Sequence, residues 1–301
     1  MAALSRPSEA CLPVLVALLL ALGCVLLPSQ TLRAQNAAGD PPARVGRLAL
    51  IDGTVSYHTA DQGYWSAGRR NFPVTTGEAF WTEPAAHAAL DVGSDRIYLD
   101  SSTELDVSAL DDRSAQFSLP QGAVFVALRS RGQGSVSAGA YEIDIARGVV
   151  ILAAAGRYEI IAGDTAHDSQ VIVIDGSARV RSSDADVEIG AGEAIVLSGT
   201  ETIQTERVSA PPPNAFVAWV EAQERRLPRE VPVVASAMTG VTELAAYGRW
   251  TRAERYGDVW YPNVPAGWAP YRNGYWGWVE PWGWTWVGDE EWGFAPFHYG
   301  R

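Results

Sequence analysis

From Val45 to about Gly199 the chain is written in short apolar runs with a period of two. Ile97 and Leu99, Leu105 and Val107, Phe117 and Leu119, Val124 with Val126 and Leu128, Ile143 and Ile145, and Val171 and Val173 each alternate with polar or small neighbours. Alternation of this kind turns one face of a strand towards a core. The runs recur about every ten residues with glycine between them, as in an all-β domain. No long segment here repeats apolar residues every 3.6 positions, so a βαβ arrangement is not expected. Leu48 to Ile51, Asp52-Gly53 and Thr54 to Tyr57 read as strand, tight turn and strand, which predicts a hairpin.

Beyond position 200 the pattern changes. Ala210 and the three prolines after it form a stiff linker. Asn214 is a good N-cap for a helix predicted over 215–227, which Pro228 ends. Phe216, Trp219, Val220 and Gln223 share one face of that helix, opposite Glu221, Glu224, Arg225 and Arg226. So narrow an apolar stripe suits a helix docked on a neighbouring domain. Residues 229–237 read as extended, and 240–255 lead into a last segment dominated by tryptophan. Nine of the chain's 12 Trp lie at or beyond position 250.

That last segment repeats itself. Residues 267–274 recur at 293–300, each position shifted by 26, which points to one small supersecondary unit used more than once. Between the copies, Trp276-Gly277-Trp278-Val279 and Trp282-Gly283-Trp284-Thr285-Trp286-Val287 alternate large rings with small or polar residues, and Glu280-Pro281 interrupts them. Two short strands with one aromatic face, joined by a turn, are expected. One more step of the offset would match Trp276 at position 302, so the repeat is expected to run on past Arg301. The predicted layout is therefore a signal segment over 1–34, a spacer over 35–44, an all-β domain over 45–200, a linker with one helix over 201–238 and a Trp-rich repeat module over 239–301.

The signal assignment rests on Arg6, the apolar run from Cys11 to Leu27, and Leu32-Arg33-Ala34, with cleavage expected after Ala34 and export to the periplasm or beyond. The run is shorter than the roughly 20 residues of a membrane span, so no stable span is expected in the mature form. Both cysteines, Cys11 and Cys24, fall inside the segment to be removed. The mature chain then has no disulfide, thiol nucleophile or Cys-ligated metal. All 23 basic residues are arginine, which excludes a Schiff-base lysine and the lysine of a phosphate loop. A formal net charge of −12 argues against a nucleic-acid partner, because binding a polyanion needs a basic face.

Candidate chemistry is sparse. His58, His87, His167 and His298 are scattered, with no pair at metal-ligand spacing. His167-Asp168-Ser169 holds the residue types of a catalytic triad, but as sequence neighbours that cannot converge in a relay. Glu280, Asp289, Glu290 and Glu291 lie beside many indoles, where a glycoside hydrolase would need two carboxylates; adjacent acids read first as a solvated turn. No cofactor, metal or catalytic residue is assigned. The indoles remain as candidate ligand- or partner-binding residues: Trp268, Tyr271, Trp276, Trp278, Trp282, Trp284 and Trp286. Exposed, they would suit stacking on sugars or gripping a protein; buried, they would be the core of a module too small for an aliphatic one.

Several stretches resemble a known family. Gly77-Glu78-Ala79-Phe80-Trp81-Thr82 with the following Ala-x-Leu-x-Val strand, Asp95-Arg96-Ile97-Tyr98-Leu99 with Thr103-Glu104-Leu105, and the turns at Ile174-Asp175-Gly176-Ser177-Ala178 and Gly190-Ala191-Gly192-Glu193 are similar to the FecR domain, an all-β periplasmic module. The resemblance covers about Val45 to Gly199. The Trp-rich end resembles a module of unknown function that follows FecR-like domains in some exported bacterial proteins. Transmembrane sigma regulators of the FecR type carry a cytoplasmic helical domain before their span, whereas ten residues precede the apolar run here, and Gly156-Arg157-Tyr158 stands where those regulators have Gly-Thr. Taken with the sparse candidate chemistry, the expectation is a non-enzymatic, exported interaction or scaffolding protein of the cell envelope rather than a sigma-factor switch, with partners among envelope proteins or cell-wall glycan. The alternative is a carbohydrate- or peptidoglycan-binding protein using the Trp platform, and the second alternative a glycoside hydrolase.

Overall fold

Strands of alternating polarity need a partner layer on their apolar side, and the chain supplies it from its own length. The computed structural model describes residues 44–129, 141–152, 154–227 and 238–299. The signal segment, most of the spacer and the extended stretch at 229–237 lie outside the described residues. Two nine-stranded sheets account for most of what is described, and the chain is all-β. In spatial order the first sheet runs Gln204–Ser209, Glu193–Ser198, Ser169–Asp175, Gly156–Ile161, Ala123–Leu128, Asp95–Leu99, His87–Val92, Gly46–Asp52 and Pro73–Val74. The second runs Asp186–Gly190, Ser177–Arg181, Gly148–Leu152, Tyr141–Ile145, Ala115–Gln121, Glu104–Leu110, Ala79–Thr82, Val55–His58 and Ser66–Ala67. Neighbours pair antiparallel except Tyr141–Ile145 with Ala115–Gln121, which run parallel.

The chain crosses between the sheets after nearly every strand or hairpin, so both layers grow together around one continuous core. Every apolar residue of the alternating pairs named above is buried in that core. The predicted hairpin at Asp52-Gly53 is the exception to the reading. Gly46–Asp52 pairs with His87–Val92 and Pro73–Val74 in the first sheet, while Val55–His58 pairs with Ala79–Thr82 and Ser66–Ala67 in the second. Gly53, at φ 87°, turns the chain from one layer to the other, and a Cβ there would lie 2.8 Å from that of Ala86. A positive-φ turn is needed for such a corner as much as for a hairpin.

Ala123–Leu128 is buried at all six positions, because its sheet is covered on both sides. Val124, Val126 and Leu128 enter the sandwich core, while Phe125 and Ala127 face helix α1, Ala215–Glu224. Ten residues are too few for a stable isolated helix. Burial of Phe216, Val217 and Val220 against the sheet, worth about 1.5–3 kcal/mol for each large side chain, holds it there. Asn214 caps it, its side-chain oxygen accepting from the Val217 amide at 2.8 Å. The helix ends three residues before the predicted 227, which a following turn takes up.

Helix α2, Val241–Tyr247, opens the Trp-rich part. Two hairpins follow: Gly248–Ala253 with Gly257–Pro262, and Gly274–Val279 with Gly283–Gly288. Both strands of the second lie 26 residues beyond those of the first, so the repeat is a whole hairpin and its loop rather than only the octapeptide seen in the sequence. The cross-strand pair Trp250 and Trp260 corresponds to Trp276 and Trp286. Gly248 and Gly274 occupy equivalent places where a Cβ would run into the ring of Trp260 or Trp286. The octapeptide itself differs between copies: 295–298 form helix α3, Ala295–His298, whereas Tyr271 sits at φ 59° in an open turn. Phe294 and Ala295 are fully buried, and the copy at 267–273 is largely exposed, so packing decides the conformation.

The second hairpin adds to the sandwich. Val279 and Val287 belong to its core, Tyr275 packs against it, and Arg69 lies over the Tyr275 ring at 4.0 Å. Asn71, at φ 63°, donates to the carbonyls of Gly288 at 2.9 Å and Glu290 at 2.7 Å. Behind it lies a charge cluster. The fully buried Arg47 donates to Asp91 at 3.0 Å, to the Asn71 side chain at 2.7 Å and to the Glu291 carbonyl at 3.1 Å, and is ion-paired with Glu243 of α2 at 2.5 Å. Arg96 binds the same two acids, each at 2.8 Å. Burial opposes the charge on Asp91, but the two guanidiniums outweigh it and hold its carboxyl below the usual range. Removing one member of a buried ion cluster leaves the others uncompensated, so Arg47→Met is expected to lower unfolding free energy by about 3–5 kcal/mol. In the same urea titration Arg252→Ala, which breaks an exposed pair with Asp258 at 3.7 Å, should change it by less than about 1 kcal/mol.

Candidate functional site

On a two-stranded ribbon the side chains of one face share a common fate, and here the two faces of the second hairpin differ. Tyr275, Val279 and Val287 point to the sandwich. Trp276, Trp278 and Trp284 point the other way and are 56%, 53% and 66% exposed. Trp282, in the turn, is 37% exposed, and Tyr271 of the preceding loop 56%. Trp278 faces Trp284 across the strands, centroids 5.8 Å apart at 86°. Tyr271 lies parallel to Trp276 at 6.3 Å. The Trp278 indole donates to Glu280 at 2.8 Å, which fixes its orientation.

The other two candidates lie elsewhere. Trp286 shares the outer face but is buried beneath Tyr271, Trp276 and Phe297. Trp268 packs on Trp292 at 5.5 Å and donates its indole N–H to Glu290 at 2.8 Å. With Trp250, Trp260, Val241 and Leu244 these rings form a second small core between α2 and α3. The indoles of the repeat thus divide between a core and an open face.

A small cavity of about 80 Å³ lies at the edge of that face. Trp278, Val279 and Glu280 form one wall, and residues 59–62 with Thr75, Thr76 and Glu78 form the others. Glu78 is buried, accepting from the Thr75 amide at 2.9 Å and pairing with the Thr75 hydroxyl at 3.2 Å. Burial outweighs those bonds and pushes its carboxyl up to about 8, so it carries a proton at neutral pH. Glu78 and the 59–62 loop are far from the indoles in the sequence. In the sequence Glu78 stood out only as part of the Gly77 to Thr82 stretch that resembles the FecR domain, which says nothing of a site.

A larger cavity of about 830 Å³ at the end of the sandwich is lined by Asp100, Gln121, Arg147, Glu159, Asp164 and Asn214 among others. Its one arginine, Arg147, makes four hydrogen bonds, donating to the carbonyls of Asp164, His167 and Gly199 and to the Ser169 hydroxyl. Glu159 accepts from Asn214 at 2.6 Å, tying the linker to the sheet.

Among the described residues, the acids and histidines singled out in the sequence are held by structural partners. His167 is paired with Asp164, while Ser169 is buried and donates to the Ala162 carbonyl, so the apparent triad diverges. His298 stacks on Phe294 at 4.0 Å, and burial lowers its pKa. His87 stacks on Trp219 at 4.4 Å. Of the acids near the indoles, Glu290 is held by Trp268, and Glu291 by Arg70 at 2.7 Å and by the Tyr247 hydroxyl. Those two contacts, the hydroxyl first, keep Glu291 below the usual carboxylate range. Among the described residues no three His, Cys, Asp or Glu are placed to hold a metal, and no helix is long and apolar enough to cross a membrane.

Residues 241–301 match the model of a family of unknown function, DUF6600. No curated protein matches the chain. Among solved structures, one crystal structure of a "putative anti-sigma factor" from Parabacteroides distasonis ATCC 8503 is similar at 10% identity, covering 52% of this chain and 70% of that one, with a TM-score of 0.38. A second, described in the same words and from the same organism, is similar at 11% identity over 62% and 99%, with a TM-score of 0.37. At those scores the likeness carries no argument about function.

The position of Glu78 gives a signed pH dependence. The folded protein keeps a proton on Glu78 that the unfolded chain releases near 4.5, so stability falls as pH rises from about 4.5 to about 8 and is level above that. Glu78→Gln keeps both bonds to Thr75 without the charge. It is expected to unfold at a higher temperature than wild type at pH 8.5 and at nearly the same temperature at pH 4, read by thermal melts in matched buffers.

Proposed function

We propose that this chain is an exported envelope protein that works by binding, in which a FecR-like β domain acts as a rigid mount for an aromatic contact surface on the Trp-rich module. The observation that carries the reading is the open face formed by Tyr271, Trp276, Trp278, Trp282 and Trp284. The module fills its interior with other rings, Trp286 and Trp292 among them, so these five are not needed as core. Large exposed aromatic patches are costly to leave in water and characteristically mark interaction sites. Export rests on Arg6, the apolar run from Cys11 to Leu27 and Leu32-Arg33-Ala34. Catalysis forms no part of the proposal, since Glu290 and Glu291 are tied to structural partners.

The surface is tested by retention of the chain on a whole envelope fraction containing wall and membranes. Trp278→Ala with Trp284→Ala is expected to reduce retention at least tenfold with an unchanged circular dichroism spectrum, because both rings are exposed. Equal retention of the folded double variant would show that the contact lies elsewhere.

A further inference from the structure

We propose that the aromatic face binds an N-acetylated glycan strand, with a sugar ring on the open face of Trp278 and its acetamido group in the cavity beside it. The inference rests on the reading of that face as a contact surface. What it adds comes from the size and lining of the cavity.

A cavity of about 80 Å³ is several times the roughly 10–15 Å³ that a single water needs. It is far below the roughly 300–1,000 Å³ of pockets that engulf a whole small molecule. A substituent of a few non-hydrogen atoms fits; a sugar ring does not. The lining matches the three parts of an acetamide. Trp278 offers an apolar surface for the methyl group, Asp61 and Glu280 offer carboxylate acceptors for the N–H, and Gln62 offers a donor for the carbonyl. Glu78, neutral in its buried site, adds no further negative charge.

The ring that bears the substituent must then lie outside the cavity, where Trp278 is half exposed. In its edge-to-face contact with Trp284 at least one indole face remains free for stacking. Trp276 and Trp278 lie two residues apart on one strand face, a pitch of about 7 Å. Tyr271 continues the surface parallel to Trp276. Several exposed rings on one side of the hairpin offer more contact surface than a single sugar would cover, which suits an oligosaccharide. An uncharged strand also suits a chain of net charge −12, which repels polyanions.

The test is calorimetric titration of the full chain with the tetramer of N-acetylglucosamine and with cellotetraose, which lacks the acetamido groups, with indole fluorescence as a second readout. The acetylated tetramer is expected to bind at least tenfold more tightly, and Trp278→Ala to abolish the binding. Gln62→Phe, which puts a ring into the cavity, should bring the two ligands within about threefold of each other while leaving the fluorescence response of Trp278. Equal affinity of the two tetramers for wild type, or an undiminished preference in Gln62→Phe, would overturn the cavity assignment and leave the aromatic surface standing. If neither tetramer binds while the double Trp variant still loses envelope retention, the glycan is wrong and the face belongs to a protein. If retention also survives in that variant, both readings fall together.

Discussion

The arrangement depends on one buried guanidinium. Arg47 has no exposed surface, so each of its N–H groups must meet an acceptor inside the protein, and losing any of them would leave charge uncompensated. Its partners come from different parts of the chain: Asp91 in the neighbouring strand, Asn71 in the loop before Pro73–Val74, Glu243 in α2 and the Glu291 carbonyl after the second hairpin. Apolar contacts between Val279, Val287 and the sandwich are non-directional and would tolerate sliding. The charged cluster is directional, and with the two Asn71 bonds it fixes where the second hairpin sits. The open side of that hairpin follows from which side is held.

Much of the β domain was legible because its chemistry is monotonous. Alternating Val, Ile, Leu and Phe identify a buried face whatever the partner strand, and every such residue named from the pattern is in the core. The capped helix at 215 was equally readable, since Asn214, Pro228 and the Phe216 stripe agree. Asp52-Gly53 was misread because the signal is local. It specifies a tight turn with positive φ, and the choice between returning within a sheet and crossing to the other depends on strands far along the chain. Arg47 and Arg96 gave no signal, because arginine is read as a surface residue until its partners are known.

The indoles show the same limit from the functional side. Trp276, Trp278, Trp284 and Trp286 share one ribbon face, as their spacing indicates, whereas Trp282, expected in the second strand, lies in the turn. Spacing does not say which face is covered, and here Gly277, Val279, Thr285 and Val287 occupy the inner side, with Tyr275 as its one large ring. Val279 and Val287 enter the sandwich core and Tyr275 packs against it, so the tryptophans of the ribbon are left on the outer side. Trp286 departs from its neighbours only because the loop carrying Tyr271 and the end carrying Phe297 fold over it.

A surface built this way is ready for a ligand before one arrives. Exposed side chains on a free loop lose freedom when they bind, at roughly 0.5–1.5 kcal/mol for each flexible group. Trp278 has already lost most of it, through its bond to Glu280 and its contact with Trp284. The backbone below is pinned by Asn71 and Arg47, so binding at the rings need not order the hairpin first. The folding energy invested in an internal charge cluster and the binding energy available at an aromatic face are thus linked through the two sides of a single ribbon.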